Sequence, residues 1–280
     1  MLRTRLLIGA MLAALAAGVL VLDQALSPVY PFLFGLLLLL AILGCRELLR
    51  LLPAACRPRT WVCYPAVIAL IVANWPAHLW ERDAWPCVWG TFAAIVLSAF
   101  LAEMPTFREP GESVTRIALT IWIAAYVGLL PSFFAQLRWL PGPAEGIPTS
   151  TVALALAIFV PKTCDIGAYF TGRLLGRHRM TPVLSPKKTW EGFAGGMVTA
   201  VLVAVGLSRL GTRLHDSYWL AIGFGLTVGL AGVLGDLAES LIKRDCQRKD
   251  AAQSVPGFGG VLDVVDSVVF AAPVVYWWLQ

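Results

Sequence analysis

The strongest constraint in this sequence is a series of apolar runs, each about as long as a bilayer is thick, joined by short charged connections. Nine can be drawn, at about Leu6–Leu22, Val29–Leu43, Trp61–Ala77, Trp85–Leu101, Val114–Leu137, Thr149–Phe170, Phe193–Leu210, Tyr218–Leu237 and Val261–Leu279. About 20 apolar residues suffice to cross roughly 30 Å of hydrocarbon as a helix. The expectation is an all-α, polytopic integral membrane protein with about nine transmembrane helices. With 58% hydrophobic and 14% charged residues among 280, no room remains for a soluble domain beyond the loops. Any chemistry then happens in or on the bilayer. Residues 1–148 read as lipid-facing scaffold helices, and residues 149–280 as a region whose loops carry the motifs.

Arg3 and Arg5 before the first run resemble a signal peptide, but the run lacks a polar end and another apolar run follows at once, so a retained first helix is expected. Orientation follows from the basic residues. With the N-terminus in the cytoplasm, 17 of the 22 Lys and Arg fall on the inside and 4 on the outside, and Lys162 lies within a span. That asymmetry is the positive-inside pattern and places the three most charged loops on one cytoplasmic face. The same pattern accounts for the net charge of +5 without a nucleic-acid partner; anionic membrane lipids are the expected electrostatic partner. The six cysteines form no CxxC pair and have no His at ligand spacing, which argues against zinc and against a disulfide framework. Tryptophans near the predicted span ends fit an interfacial belt.

One stretch stands out against the apolar background: GDLAESLIKRDCQRKDAAQSVPGFGGVLDVVDS, from Gly235 to Ser267. Asp236 and Glu239 are spaced i, i+3 at the end of the eighth run, and Ser240 is i+4 from Asp236. Asp263 and Asp266 repeat the i, i+3 spacing at the start of the ninth. In the eighth run Gly225, Gly229 and Gly232 share a helical face with Asp236, so this face is expected to pack into the bundle, not toward lipid. Carboxylates beside hydrocarbon are costly and mark a functional site by default.

Two further clusters belong to the same side. In PKTCDIGAYFTGRLLGRHR, Asp165 follows Lys162 by three residues, an ion-pair spacing. In LSPKKTWEG, Ser185 and Pro186 read as the N-cap and first residue of a helix. Lys187 and Lys188 would then sit in its first turn, where cations are disfavoured unless an anion such as phosphate is bound there. Hard oxygen ligands beside phosphate-binding cations suit Mg²⁺, which is commonly held by one or two carboxylates plus substrate phosphates. This is equipment for phosphoryl or nucleotidyl transfer. The Walker A, GxSxG and HExxH patterns are absent.

These residues carry a resemblance. Ser240 to Ser267 is similar to the C-terminal signature of phosphatidate cytidylyltransferases, Ser-x-x-Lys-Arg, four residues, Lys-Asp, then Pro-Gly-His-Gly-Gly and Asp-Arg-x-Asp. Ser240, Lys243, Arg244, Lys249, Asp250, Pro256, Gly257, Gly259, Gly260, Asp263 and Asp266 match. DIGAYFTGRLLGR, SPKKTWEG and GDLAES resemble the family's upstream motifs in the same order. Phe258 stands where the family has His, and Val264 where it has Arg.

The resemblance implies transfer of a cytidylyl group from CTP to phosphatidic acid, giving CDP-diacylglycerol and pyrophosphate, in the cytoplasmic (inner) membrane with the site facing the cytoplasm. It implies Mg²⁺ on Asp236, Asp263, Asp250 and Asp266, with Lys243 and Lys249 also in the catalytic set. Substrate contacts are implied for Asp165, Arg173, Ser185, Lys187, Lys188 and Thr189, and for Glu239, Ser240, Arg244, Gly259 and Gly260. A homodimer is suggested on the same basis. The missing His is tolerable in this chemistry, because a phosphate monoester has a second pKa of about 6 and is already mostly dianionic at neutral pH. Arg244 or Arg173 could replace the missing Arg as a phosphate ligand. The competing readings are another CTP-using lipid enzyme (a lipid kinase or an ether-lipid cytidylyltransferase) and a transporter coupled through Lys162 and Asp165.

Overall fold

The computed structural model describes residues 2–80, 82–108, 110–142, 147–248, 251–252 and 259–280; of residues 2–8, 10, 12, 13 and 215 it describes the backbone only. The chain is helical almost throughout. In order come α1 (Leu2–Leu22), α2 (Pro31–Leu51), α3 (Thr60–Val72), the single turn α4 (Pro76–Leu79), α5 (Trp85–Glu103), α6 (Ser113–Ala124) and α7 (Leu130–Gln136). Then follow α8 (Thr149–Leu175), β1 (Arg179–Thr181), β2 (Ser185–Thr189), α9 (Trp190–Ser208), α10 (Tyr218–Asp245) and α11 (Leu262–Leu279). A π-helical segment, Ala125–Leu129, joins α6 to α7. Among the described residues eight helices are long and apolar enough to cross a membrane, α3 counting with α4 and α6 with α7. The remaining predicted span falls on α1, where most side chains of the first half lie outside the described set. The chain is an all-α, multi-pass membrane protein.

The helices form two compact units, Met1–Gln136 with Asp250–Leu262, and Leu137–Lys249 with Asp263–Gln280. In the first, small and branched residues of α3, α5 and α6 make a core of Ala66, Leu70, Ala73, Val88, Ile95 and Ala124. Several of its buried polar groups pair with one another, as burial away from water favours. Asn74 donates to Ser132 Oγ at 2.9 Å and accepts from Gln136 at 2.7 Å. Glu103, 5% exposed, ties Arg59 and Arg116 together at 2.9 Å each.

In the second unit α8, α9 and α10 approach through small residues, as packing in hydrocarbon favours. The glycine face predicted for α10 is buried: Cβ atoms at Gly225, Gly229 and Gly232 would lie 2.7 Å from Val201 Cα, 2.9 Å from Ala200 Cβ and 2.6 Å from Pro161 Cβ. Adjacent residues of α9 and one residue of α8 therefore touch the same stripe of α10. Gly225→Leu is expected to destabilise the protein by about 1–3 kcal/mol, because the clash is with backbone and exceeds the helix-propensity gain of about 1 kcal/mol. Thermal unfolding of the detergent-solubilised variant checks this.

One expectation is corrected. Ser185 and Pro186 do not start a helix; Ser185–Thr189 is the strand β2, paired antiparallel to β1 with Arg179 opposite Thr189 and Thr181 opposite Ser185. The helix begins at Trp190, with Thr189 as its N-cap accepting from the Gly192 amide at 3.1 Å. The physical reason is that a residue before proline prefers extended backbone, so Ser-Pro suits a strand as well as a helix start.

Candidate functional site

The hairpin decides what its two lysines can do. Successive strand residues point to opposite faces, so Lys187 is exposed while Lys188 turns inward and places its Nζ 2.7 Å from Asp236 Oδ2. This is an ionic contact without a well-angled hydrogen bond, and it leaves the Lys188 proton directions open. Asp236 is one helical turn before Ser240, whose Oγ stands 3.5 Å from Asp236 Oδ1.

The same face of α10 continues into a second pair. Glu239 and Lys243 are i, i+4 and meet at 2.8 Å; Lys243 also reaches Asp263 Oδ1 on α11 at 2.5 Å. Lys243 and Glu239 are both buried, Glu239 at 2% exposure, and Glu239 Oε1 has no hydrogen-bond partner. One turn along α11, Asp266 Oδ1 accepts from Lys162 of α8 at 3.1 Å, and Lys162 stands 3.8 Å from Asp165 Oδ2. The sequence pairs Lys162 with Asp165; the shorter contact is to Asp266, 104 residues away.

These pairs form one electrostatic cluster. Asp165 interacts with Lys162, Asp266, Asp236 and Lys188, and Glu239 interacts with Asp263, Lys243 and Asp266. The members are five acids and three lysines, a formal excess of two negative charges. The structure thus brings together Asp165, Lys188, Asp236, Glu239, Ser240, Lys243, Asp263 and Asp266, all anticipated, and adds Lys162. Among the described residues no three acids or His and Cys groups already converge as a ready-made metal cage. The donor chemistry nevertheless fits a hard divalent cation. The lysines occupy cation positions beside the carboxylates, the acids outnumber them, and the buried Glu239 Oε1 is an oxygen left without a partner. Such a cation would be held by one or two carboxylates and completed by other oxygens.

Other expected residues lie apart from this cluster. Arg173 is exposed and donates to Tyr169 Oη at 3.1 Å. Arg244 is exposed and reaches Leu184 O and Arg248 O at 3.4 Å each, so it ties α10 to the hairpin. Ser185 and Thr189 serve the hairpin and the α9 cap, and Thr181 Oγ1 donates to the Ser185 carbonyl at 3.4 Å. Lys249, Asp250 and Phe258 lie outside the described residues. Gly259 and Gly260 belong to the first unit, where Gly259 takes φ 113° and Gly260 abuts the carboxylate of Glu47. Glu47 itself escapes a reading of the sequence. The signal was there, an acid just past the second apolar run, but beside Arg46 and Arg50 it looks like part of a charged membrane edge.

Residues 3–280 match the profile of the cytidylyltransferase family. A Synechocystis sp. protein named phosphatidate cytidylyltransferase is 36% identical over 196 residues, which is 62% of this chain and 65% of that protein. Proteins of the same name from Staphylococcus epidermidis and Staphylococcus aureus are 32% and 30% identical over 238 residues, 84% of this chain and 85% of each relative. The alignment thus spans just under two thirds of the Synechocystis protein and most of the staphylococcal ones. A profile match over nearly every residue, with the charged cluster built from the matched motifs, means that the chain belongs to the cytidylyltransferase family.

Proposed function

We propose that the protein joins CTP and phosphatidic acid into CDP-diacylglycerol, releasing pyrophosphate. The observation that carries this reading is the cluster of lysine–carboxylate pairs on α8, β2, α10 and α11, together with relatives named for that reaction. An oxygen of the lipid phosphate attacks the α-phosphorus of CTP, a new P–O bond forms, and the bond from that phosphorus to the β-phosphate oxygen breaks. The lipid phosphate is already largely dianionic at neutral pH, so no side chain need remove a proton. The demand is for alignment and for positive charge against the phosphates.

Lysines meet that demand by exchanging partners. Lys188 and Lys243 are held on Asp236, Glu239 and Asp263. Incoming phosphate oxygens compete for the same ammonium groups, which frees carboxylate oxygens as the substrates bind. Asp236, Asp263 and Asp266, with Asp250, would hold Mg²⁺. When bound, it supplies further neutralisation of the phosphates and leaving group. Lys187, exposed on the outer side of β2, and Arg244 are placed to meet the parts of the polyphosphate that reach out of the cluster. The charge asymmetry of the loops supports an inner-membrane location with this face in the cytoplasm, and a homodimer is part of the same proposal.

The test is an assay of purified protein with CTP labelled on the α-phosphate. Label in the lipid and pyrophosphate release, both dependent on phosphatidic acid, are expected. In a parallel assay with CTP labelled on the γ-phosphate, label reaching lipid only from that position would make the protein a lipid kinase, and no turnover of either kind would leave transport. Chelation by EDTA is expected to lower turnover at least about 100-fold, with recovery on adding Mg²⁺, because the cluster alone leaves its negative excess facing anionic substrates. Turnover that survives exhaustive chelation would remove the metal from the proposal.

A further inference from the structure

Glu47 is a carboxylate within an apolar span, and the reaction outlined above gives it nothing to do. It is 3% exposed, on the last turns of α2. Both oxygens accept hydrogen bonds: the Val261 amide donates to Oε1 at 2.9 Å and the Leu262 amide to Oε2 at 3.0 Å. These amides are among the donors that a helix start leaves without partners, and negative charge is favoured there. The approach is close on both sides. A Cβ at Gly260 would stand 2.5 Å from Glu47 Oε2, and one at Gly44, three residues before Glu47, would stand 3.2 Å from the Leu262 side chain. Gly259 takes a positive φ of 113° that favours glycine. The glycine pair of the C-terminal motif is thereby explained by the turn and by room for this carboxylate.

A buried acid in a membrane span is expensive and is seldom kept for packing alone. The backbone that Glu47 fixes ends at Leu262, and the next residue in the chain is Asp263. We infer that Glu47 is a positioning residue for cytidylyl transfer: by binding the 261 and 262 amides it fixes the backbone at the first turn of α11, up to the residue that precedes Asp263. The inference rests on the proposed reaction for its consequence in turnover, and on geometry alone for its structural part.

Glu47→Ala in the full-length, detergent-purified protein is expected to lower kcat at least about tenfold with KM for CTP changed much less, since misplacement of about 1 Å can cost more than that. Amide exchange in residues 259–263 is expected to speed up about tenfold while the α8–α10 amides stay protected. Gly260→Ala on its own should resemble Glu47→Ala, because the added methyl displaces the carboxylate. Combined with Glu47→Ala it should cost only about twofold more, the non-additivity of two changes at one contact. Should Glu47→Ala fail to fold, Glu47→Gln keeps the volume and one acceptor oxygen, and the same fall in kcat is expected of it. A fall in melting temperature with kcat unchanged would reduce Glu47 to a structural cap and overturn the inference, as would unchanged exchange at 259–263. The exchange arm needs no turnover, so failure of the reaction itself shows separately, in the wild-type protein.

Discussion

Asp263→Asn is expected to lower cytidylyl transfer at least about 100-fold while the protein stays folded. The asparagine keeps the size of the side chain, and Lys243 retains Glu239 at 2.8 Å. Asp263 also faces Glu239, which interacts with Asp266 as well. Removing one negative charge from a cluster with two in excess relieves repulsion, so no large loss of stability follows. What is lost is a carboxylate at the first turn of α11, where the proposed divalent cation would need a hard anionic ligand. The measurement is pyrophosphate release and transfer of α-label to lipid, alongside a thermal midpoint within a few degrees of wild type. Near-normal turnover in a folded variant would remove Asp263 from the metal site and shift the assignment to Asp236.

The parts of this site that were legible in the sequence are those fixed by local spacing. The helical period predicts that Asp236 shares a face with Gly225, Gly229 and Gly232, and each of those glycines does meet a neighbouring helix within van der Waals contact. Spacings of i, i+3 and i, i+4 likewise put Asp236, Glu239, Ser240 and Lys243 on adjoining positions of α10. Partnerships across helices were not legible, because periodicity carries no information about which face meets which. Lys162 finds Asp266 across 104 residues and Glu47 finds Val261 across 214. The hairpin fell between these cases. Ser-Pro-Lys-Lys-Thr is compatible with a helix start and with a strand, and only the pairing of Arg179 with Thr189 decides for the strand. That choice matters chemically. As a strand it sends Lys188 to Asp236 and leaves Lys187 outside, where a helix would have kept both lysines at one terminus.

Lys243→Met carries the largest expected effect on stability. The ammonium is the cation between Glu239 and Asp263, at 2.8 and 2.5 Å, and its side chain is 11% exposed beside partners at 3% and 10%. Without it two closely spaced carboxylates lose the cation held between them, a change that costs about 3–5 kcal/mol. For a chain of this size that corresponds to a fall of roughly 10 °C in melting temperature. Turnover is expected to fall with it, but stability and catalysis can be separated. Adding Glu239→Gln removes one of the two facing charges and should recover about half of the lost stability, while the missing ammonium would still deprive the substrate phosphates of the cation proposed for them. Lys243→Arg should hold the charge and most of the stability yet turn over slowly, since a planar fork cannot take the tetrahedral positions between two carboxylates that the ammonium fills. If the Lys243→Met, Glu239→Gln pair regained wild-type turnover, Lys243 would be a counterion for α10 and α11 and no more. If it regains stability alone, the buried lysine, held between Glu239 Oε2 and Asp263 Oδ1, serves the phosphates as well as the fold.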